Sequence, residues 1–118
     1  MIMLMMINEL KRGMSGISVE GRIVDISEPR RVQTRYGSRS VADATLEDET
    51  GSIKLSLWEE KIESVNTGDR IRTGEAYVIE FRNELQLNIP HSGKLEIMKE
   101  LENTSDRSNR EVRLVMFY

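Results

Sequence analysis

Apolar positions in this chain recur mostly at every second residue. In IKLSLW (53–58), Ile53, Leu55 and Leu57 fall on one side while Lys54, Ser56 and Trp58 fall on the other, because side chains alternate along a strand. LQLNI (85–89) repeats the pattern, with Leu85, Leu87 and Ile89 opposed by Gln86 and Asn88. In VADATLE (41–47), Ala42, Ala44 and Leu46 share a face opposed by Asp43 and Thr45. Each segment predicts a strand with one face on a core and the other toward water. AYVIEFR (76–82) is mixed on both sides: Tyr77, Ile79 and Phe81 share one, and Ala76, Val78, Glu80 and Arg82 share the other. Phase leaves the buried side of this strand open.

Punctuating residues set the order of the elements. Asn8 is placed to cap a short turn that Gly13 closes. An extended stretch runs from Ile17 to Thr34. Within it Gly21 marks a bulge or bend, and Pro29, which has no ladder N–H, marks a kink or an edge. RYGSR (35–39) reads as a hairpin loop, DETG (48–51) as a tight turn, and Asn83-Glu84 as a two-residue hairpin turn. EEKIESV (59–65) carries Ile62 and Val65 three apart, which predicts a short helix stopped by NTGD (66–69). Three strands, a short helix and two strands predict an all-β fold: a five-stranded Greek-key barrel of the OB-fold type, with the helix between strands three and four. The expected domain covers residues 1–98, with 1–16 as a lead-in. Residues 99–118 are expected to form a polar extension ending in the apolar run VRLVMFY.

The aromatic residues do not follow the core. Ile53, Leu55, Leu57, Ala42, Ala44, Leu46, Leu85, Leu87, Ile89 and Val78 suffice to fill an interior with the first strand, without Trp58, Tyr77 or Phe81. Those three rings are left for a face that also carries Lys54, Ser56, Gln86 and Asn88, and Arg82 is a further candidate polar contact. Leaving a large apolar side chain in water forgoes roughly 1.5–3 kcal/mol of burial. A wet row of rings therefore points to something that stacks on it.

Composition narrows the chemistry. The chain has 118 residues, enough for one core, and no cysteine, which excludes disulfides and thiolate catalysis and fits a reducing compartment. The single histidine, His91, has no second histidine or cysteine to complete a metal or nucleophile set. EDET (47–50) lacks the spaced ligands of a calcium loop, and Gly93-Lys94 lacks the glycine a phosphate loop needs upstream. No enzyme, metal or cofactor is expected. MIMLMMI (1–7) is too short to span a bilayer, so no membrane association is expected. Net charge is −3, but it is unevenly spread. Between Arg22 and Arg39 five arginines face two acids, and between Asp43 and Glu63 seven acids face two lysines. An acidic chain can thus present one basic edge.

DETGSIKLSLW (48–58), NTGDRIR (66–72) and AYVIEFRNELQLN (76–88), with the lead-in ELKRGMSGISVEGRIVDI (9–26), resemble archaeal single-stranded DNA-binding proteins of the replication protein A type OB-fold family. The resemblance covers about Ile7 to Met98. It implies sequence-tolerant binding of single-stranded DNA in replication or repair, in a prokaryotic-type cytoplasm, with bases stacked on Trp58, Tyr77 and Phe81. RRVQTRYGSR (30–39) is similar to the family's basic loop, which implies Arg30, Arg31, Arg35 and Arg39 as phosphate contacts and Val32 as an apolar contact to a base. The alternatives are an OB subunit that binds a protein partner or itself through residues 112–118, and an RNA-binding OB domain, because stacking barely distinguishes the sugars.

Overall fold

A computed structural model describes residues 3–98 of the chain. The extension 99–118, with its apolar end, lies outside the described residues. Among the described residues eight strands form: β1 (Met3–Met5), β2 (Ile17–Ile26), β3 (Arg30–Thr34), β4 (Gly37–Asp48), β5 (Gly51–Trp58), β6 (Arg70–Phe81), β7 (Glu84–Asn88) and β8 (Lys94–Met98). They make one mixed sheet in the order β1-β2-β4-β5-β7-β6-β8, with β3 on the flank of β4 and β2 pairing also with β6. β1 runs parallel to β2 and β5 parallel to β7; the other ladders are antiparallel.

This corrects the expected fold. The five-stranded barrel is replaced by an eight-stranded mixed sheet, in which β3 and β4 are joined by a tight Arg35-Tyr36 turn with no helix between them, and the segment expected as a helix, 59–65, forms a 3₁₀ turn between β5 and β6. Among the described residues helical hydrogen bonding is limited to two 3₁₀ segments, Ile7–Glu9 ahead of β2 and Glu59–Ser64 after β5. The extended stretch 17–34 is two strands, because the chain leaves the sheet between Ile26 and Arg30, where Pro29 could not donate to a ladder. Asn8 lies inside the first 3₁₀ turn, which Met6 precedes, its N–H donating to the Glu9 Oε1 at 2.8 Å.

The core is aliphatic. Val19, Ile23, Leu46, Leu55, Leu57, Ile71 and Leu87 are fully buried, and Ile7, Leu10 and Val65 join the same cluster. Leu85, expected inside, is only partly buried. Of the bulge or bend expected at Gly21, no bulge forms; a Cβ there would stand 2.6 Å from the Glu47 carbonyl oxygen. The glycine lets β2 approach β4, and the register shifts fall at Ile17/Val19 and Ile23/Asp25 instead. The lead-in is stitched to the sheet by paired bonds, Gly13 N–H to the Val78 carbonyl and Val78 N–H to the Met14 carbonyl.

β6 changes phase midway. Ile71 and Thr73 are buried, then Ala76 and Val78, so the inward positions switch from odd to even across Gly74-Glu75. Glu75 has φ 56°, outside the strand region. After this kink the odd residues Tyr77, Ile79 and Phe81 point outward. The following turn is Arg82-Asn83, one residue earlier than expected, with φ 54° and 64° at its two positions, as a two-residue hairpin turn requires.

Candidate nucleic-acid interface

Residues directly paired across two strands project to the same side of a sheet, so the registers define one outer face. β3 pairs Arg30 with Val41 and Val32 with Arg39. β4 pairs Val41 with Trp58, Asp43 with Ser56 and Thr45 with Lys54. β5 pairs Lys54 with Gln86 and Ser56 with Asn88, and β7 pairs Asn88 with Tyr77, Gln86 with Ile79 and Glu84 with Phe81. Ten of the thirteen residues singled out from sequence therefore share one face: Trp58, Tyr77, Phe81, Arg30, Val32, Arg39, Lys54, Ser56, Gln86 and Asn88. Arg35 and Arg82 sit at the tips of the two flanking hairpins. Arg31 projects to the other side of β3, where it donates to the hydroxyls of Ser38 and Ser40 at 3.2 and 3.0 Å.

The face has a sunken polar floor and raised rings. Ser56 and Asn88 are buried, while Tyr77, Ile79 and Phe81 are 36, 39 and 54% exposed. Ile79, which the sequence pattern did not single out, stands between the two rings on the same strand. Trp58 is partly buried, and its Nε1–H donates to the Asn88 Oδ1 at 3.2 Å. Val41, its cross-strand partner, is buried although it lies on this outer face. The indole thus has a packed side and an open side. The Asn88 Nδ2 is buried and has no hydrogen-bond partner among the described residues.

Three of the basic residues on the face are paired with carboxylates. Arg30 meets Asp43 at 3.1 Å, Arg39 meets Glu59 at 3.8 Å, and Lys54 meets Glu84 at 3.3 Å. Arg35 and Arg82 make no ion pair among the described residues. Arg82 lies over the Phe81 ring at 5.0 Å and Arg35 over the Tyr36 ring at 5.9 Å, within the range of a cation–π contact. At the Trp58 end of the face the β3–β4 turn, the start of the second 3₁₀ segment and residues 89–91 enclose a groove of about 530 Å³. Tyr36, 73% exposed, lines it with Trp58 and Tyr77. The sequence held one signal for it, an aromatic inside the basic loop.

Among the described residues no group of three or more His, Cys, Asp or Glu side chains could hold a metal ion, and no helix is long and apolar enough to cross a membrane. One carboxylate is perturbed, away from the face. Burial works to raise the Asp48 pKa, but bonds from the Thr50 hydroxyl and from the N–H groups of Ile7, Thr50 and Gly51 outweigh it and hold the carboxyl below its ordinary value.

The family described as single-stranded DNA binding protein Ssb-like, OB fold, matches residues 10–97. The chain is 33% identical over 89 residues to the single-stranded DNA binding protein Ssb of Saccharolobus solfataricus, a match spanning 75% of this chain and 60% of that protein. It is 41% identical over 63 residues to replication factor A of Methanothermobacter thermautotrophicus, spanning 52% of this chain and 8% of that protein. In structure it is similar to a replication factor A related protein from Methanobacterium thermoautotrophicum, with TM-score 0.71 and 27% identity over 84% of this chain and 94% of that one. An OB domain from Thermoplasma acidophilum gives TM-score 0.72 at 23% identity over 89% of this chain and 98% of that one, a likeness of fold.

Proposed function

We propose that this chain, which belongs to the single-stranded DNA binding protein Ssb-like OB-fold family, binds single-stranded DNA across the outer face of β4, β5, β7 and β6. Unpaired bases stack on Trp58, Tyr77 and Phe81. Arg30, Arg39 and Lys54 exchange their carboxylate partners for phosphates, and Arg35 and Arg82 meet the backbone from the hairpin tips. Val32 and Ile79 offer apolar contacts beside the rings, and Gln86, Ser56 and Asn88 form the polar floor. Arg31, turned to the other side of its hairpin, supports the loop and is left out of the contact set. DNA replication or repair is the setting this family supports.

The observation that carries the reading is the row of outward rings over a buried polar floor. Stacking is worth about 1–3 kcal/mol per base and tolerates any sequence, because every base has a π-face. Trp58 is the chain's single tryptophan, so its fluorescence reports on the face directly. Titration with oligomers of dT and rU, with a duplex as control, should quench it with dT and leave it unchanged with duplex. Quenching by rU as strong as by dT would widen the ligand to RNA. No quenching by any single strand at low salt would overturn the reading.

A further inference from the structure

We infer that Tyr36, at the tip of the β3–β4 hairpin, is a fourth stacking ring, and that the groove between it and Trp58 takes one further nucleotide of a bound single strand. The inference rests on the reading of the outer face as a single-strand platform and extends it past Trp58.

Its first support is position. β5 and β7 run parallel and β6 runs against them. Phe81 therefore lies at the Lys54 and Glu84 end of the face, and Tyr77 at the Asn88 end. Beyond Trp58 the β3–β4 hairpin continues past the Val41–Trp58 pair through Arg39 to the turn. Tyr36 thus prolongs a line that already runs Phe81, Tyr77, Trp58, and it shares a groove of about 530 Å³ with the last two.

Its second support is repetition of one chemical unit. The two hairpin-tip arginines of the face, Arg35 and Arg82, each lie over the ring of the adjacent residue, Tyr36 and Phe81, and neither makes an ion pair among the described residues. A ring beside an unpaired guanidinium presents a stacking surface with a cation ready for the phosphate. This unit closes the line at both ends. The turn that holds Tyr36 is also ordered: the Thr34 hydroxyl accepts the Tyr36 N–H at 3.1 Å and donates to the Gly37 carbonyl at 2.8 Å. Gly37, at φ 107°, takes a backbone conformation that other residues rarely adopt. A tyrosine left 73% exposed on such a turn contributes little to the core.

The test compares wild type, Tyr36→Ala and Tyr36→Phe on dT oligomers of increasing length, with thermal melts to show that the variants fold. A 2-aminopurine is placed at each position in turn, since its emission drops when it stacks. Tyr36→Ala is expected to weaken binding of the longer oligomers about fivefold or more, to leave the shortest binding oligomers unaffected, and to restore emission at one terminal 2-aminopurine. Tyr36→Phe should behave as wild type. Equal affinities for Tyr36→Ala and wild type at every length would overturn the inference while the face reading stands. So would an equal loss at every length that Tyr36→Phe does not rescue. If wild type itself binds no single strand, the face reading fails first and the fourth ring with it.

Discussion

Replacing Asn88 with leucine should move stability and binding in opposite directions. Asn88 is buried on β7, where its Oδ1 accepts the indole N–H of Trp58 at 3.2 Å and its Nδ2 has no partner among the described residues. A buried donor left unpaired costs about 1–3 kcal/mol, whereas a neutral hydrogen bond returns a net of about 0.5–1.5 kcal/mol. Leucine removes both amide atoms, and the freed indole N–H belongs to a ring that is only partly buried. The balance favours the variant by on the order of 1 kcal/mol, which for a domain of this size raises Tm by about 4–8 °C. Binding should weaken, because an indole without its acceptor must be ordered when a base arrives. Immobilising one such side chain costs about 0.5–1.5 kcal/mol, or about two- to twelvefold in Kd. Melting followed by circular dichroism and titration with a dT oligomer give the two numbers. A variant that melts well below wild type, or binds dT as tightly, would refute the role assigned to this amide.

Phe81→Ala should lower single-strand affinity by about 1–3 kcal/mol with a near-unchanged melt, since the ring is 54% exposed; an unchanged dT titration would remove Phe81 from the platform. Trp58→Ala should lose on both counts, because the indole is partly buried and pairs with the buried Val41; a full loss of folding would make it a core residue instead. Asp43→Asn and Glu84→Gln free Arg30 and Lys54 from their ion pairs, and each should steepen the log–log salt dependence of single-strand binding by about 0.7 if the freed cation meets a phosphate. Asp48 has a folded pKa held below its ordinary value, so its contribution is complete above the unfolded pKa of about 3.9 and disappears as pH falls through the folded one. The Tm gap between wild type and Asp48→Asn should therefore stay constant above about pH 4 and shrink below it; a gap independent of pH would show that the carboxylate charge is not what the lead-in depends on.

Strands with one clean period were legible in the sequence, and those in which the period breaks were not. β5 and β7 keep a single phase, so Trp58, Ser56, Lys54, Gln86 and Asn88 could be put on one face by counting alone. β6 could not be read this way, because the kink at Gly74-Glu75 moves its inward set by one residue and makes both sides look mixed. Gly21 signals a constraint but not which one: a bulge and a close approach of β4 leave the same mark in sequence. Arg31 shows the limit of composition, since a cluster of arginines does not reveal which alternate to the far side of a hairpin. β1 and β8, three and five residues long, carry too few positions for a period to stand out, and they account for part of the gap between five expected strands and eight.

How the rings and the charges divide the work follows from the ion pairs. The chain carries a net charge of −3, and Arg30, Arg39 and Lys54 already face carboxylates. Exposed pairs of this kind are worth about 0–1 kcal/mol, so a phosphate can displace the acid at little cost, yet the exchange gains little for the same reason. Tyr77 and Phe81 are exposed, and among the described residues the Arg82 guanidinium over Phe81 is the one cation set against either ring. On the proposed binding mode, about 1–3 kcal/mol per stacked base would give the rings most of the affinity and leave the paired cations mainly to set the path of the backbone. Binding of that kind should tolerate any sequence and loosen only gradually as salt rises, because few of its contacts depend on releasing counterions; a steep salt dependence of the dT titration would refute this division.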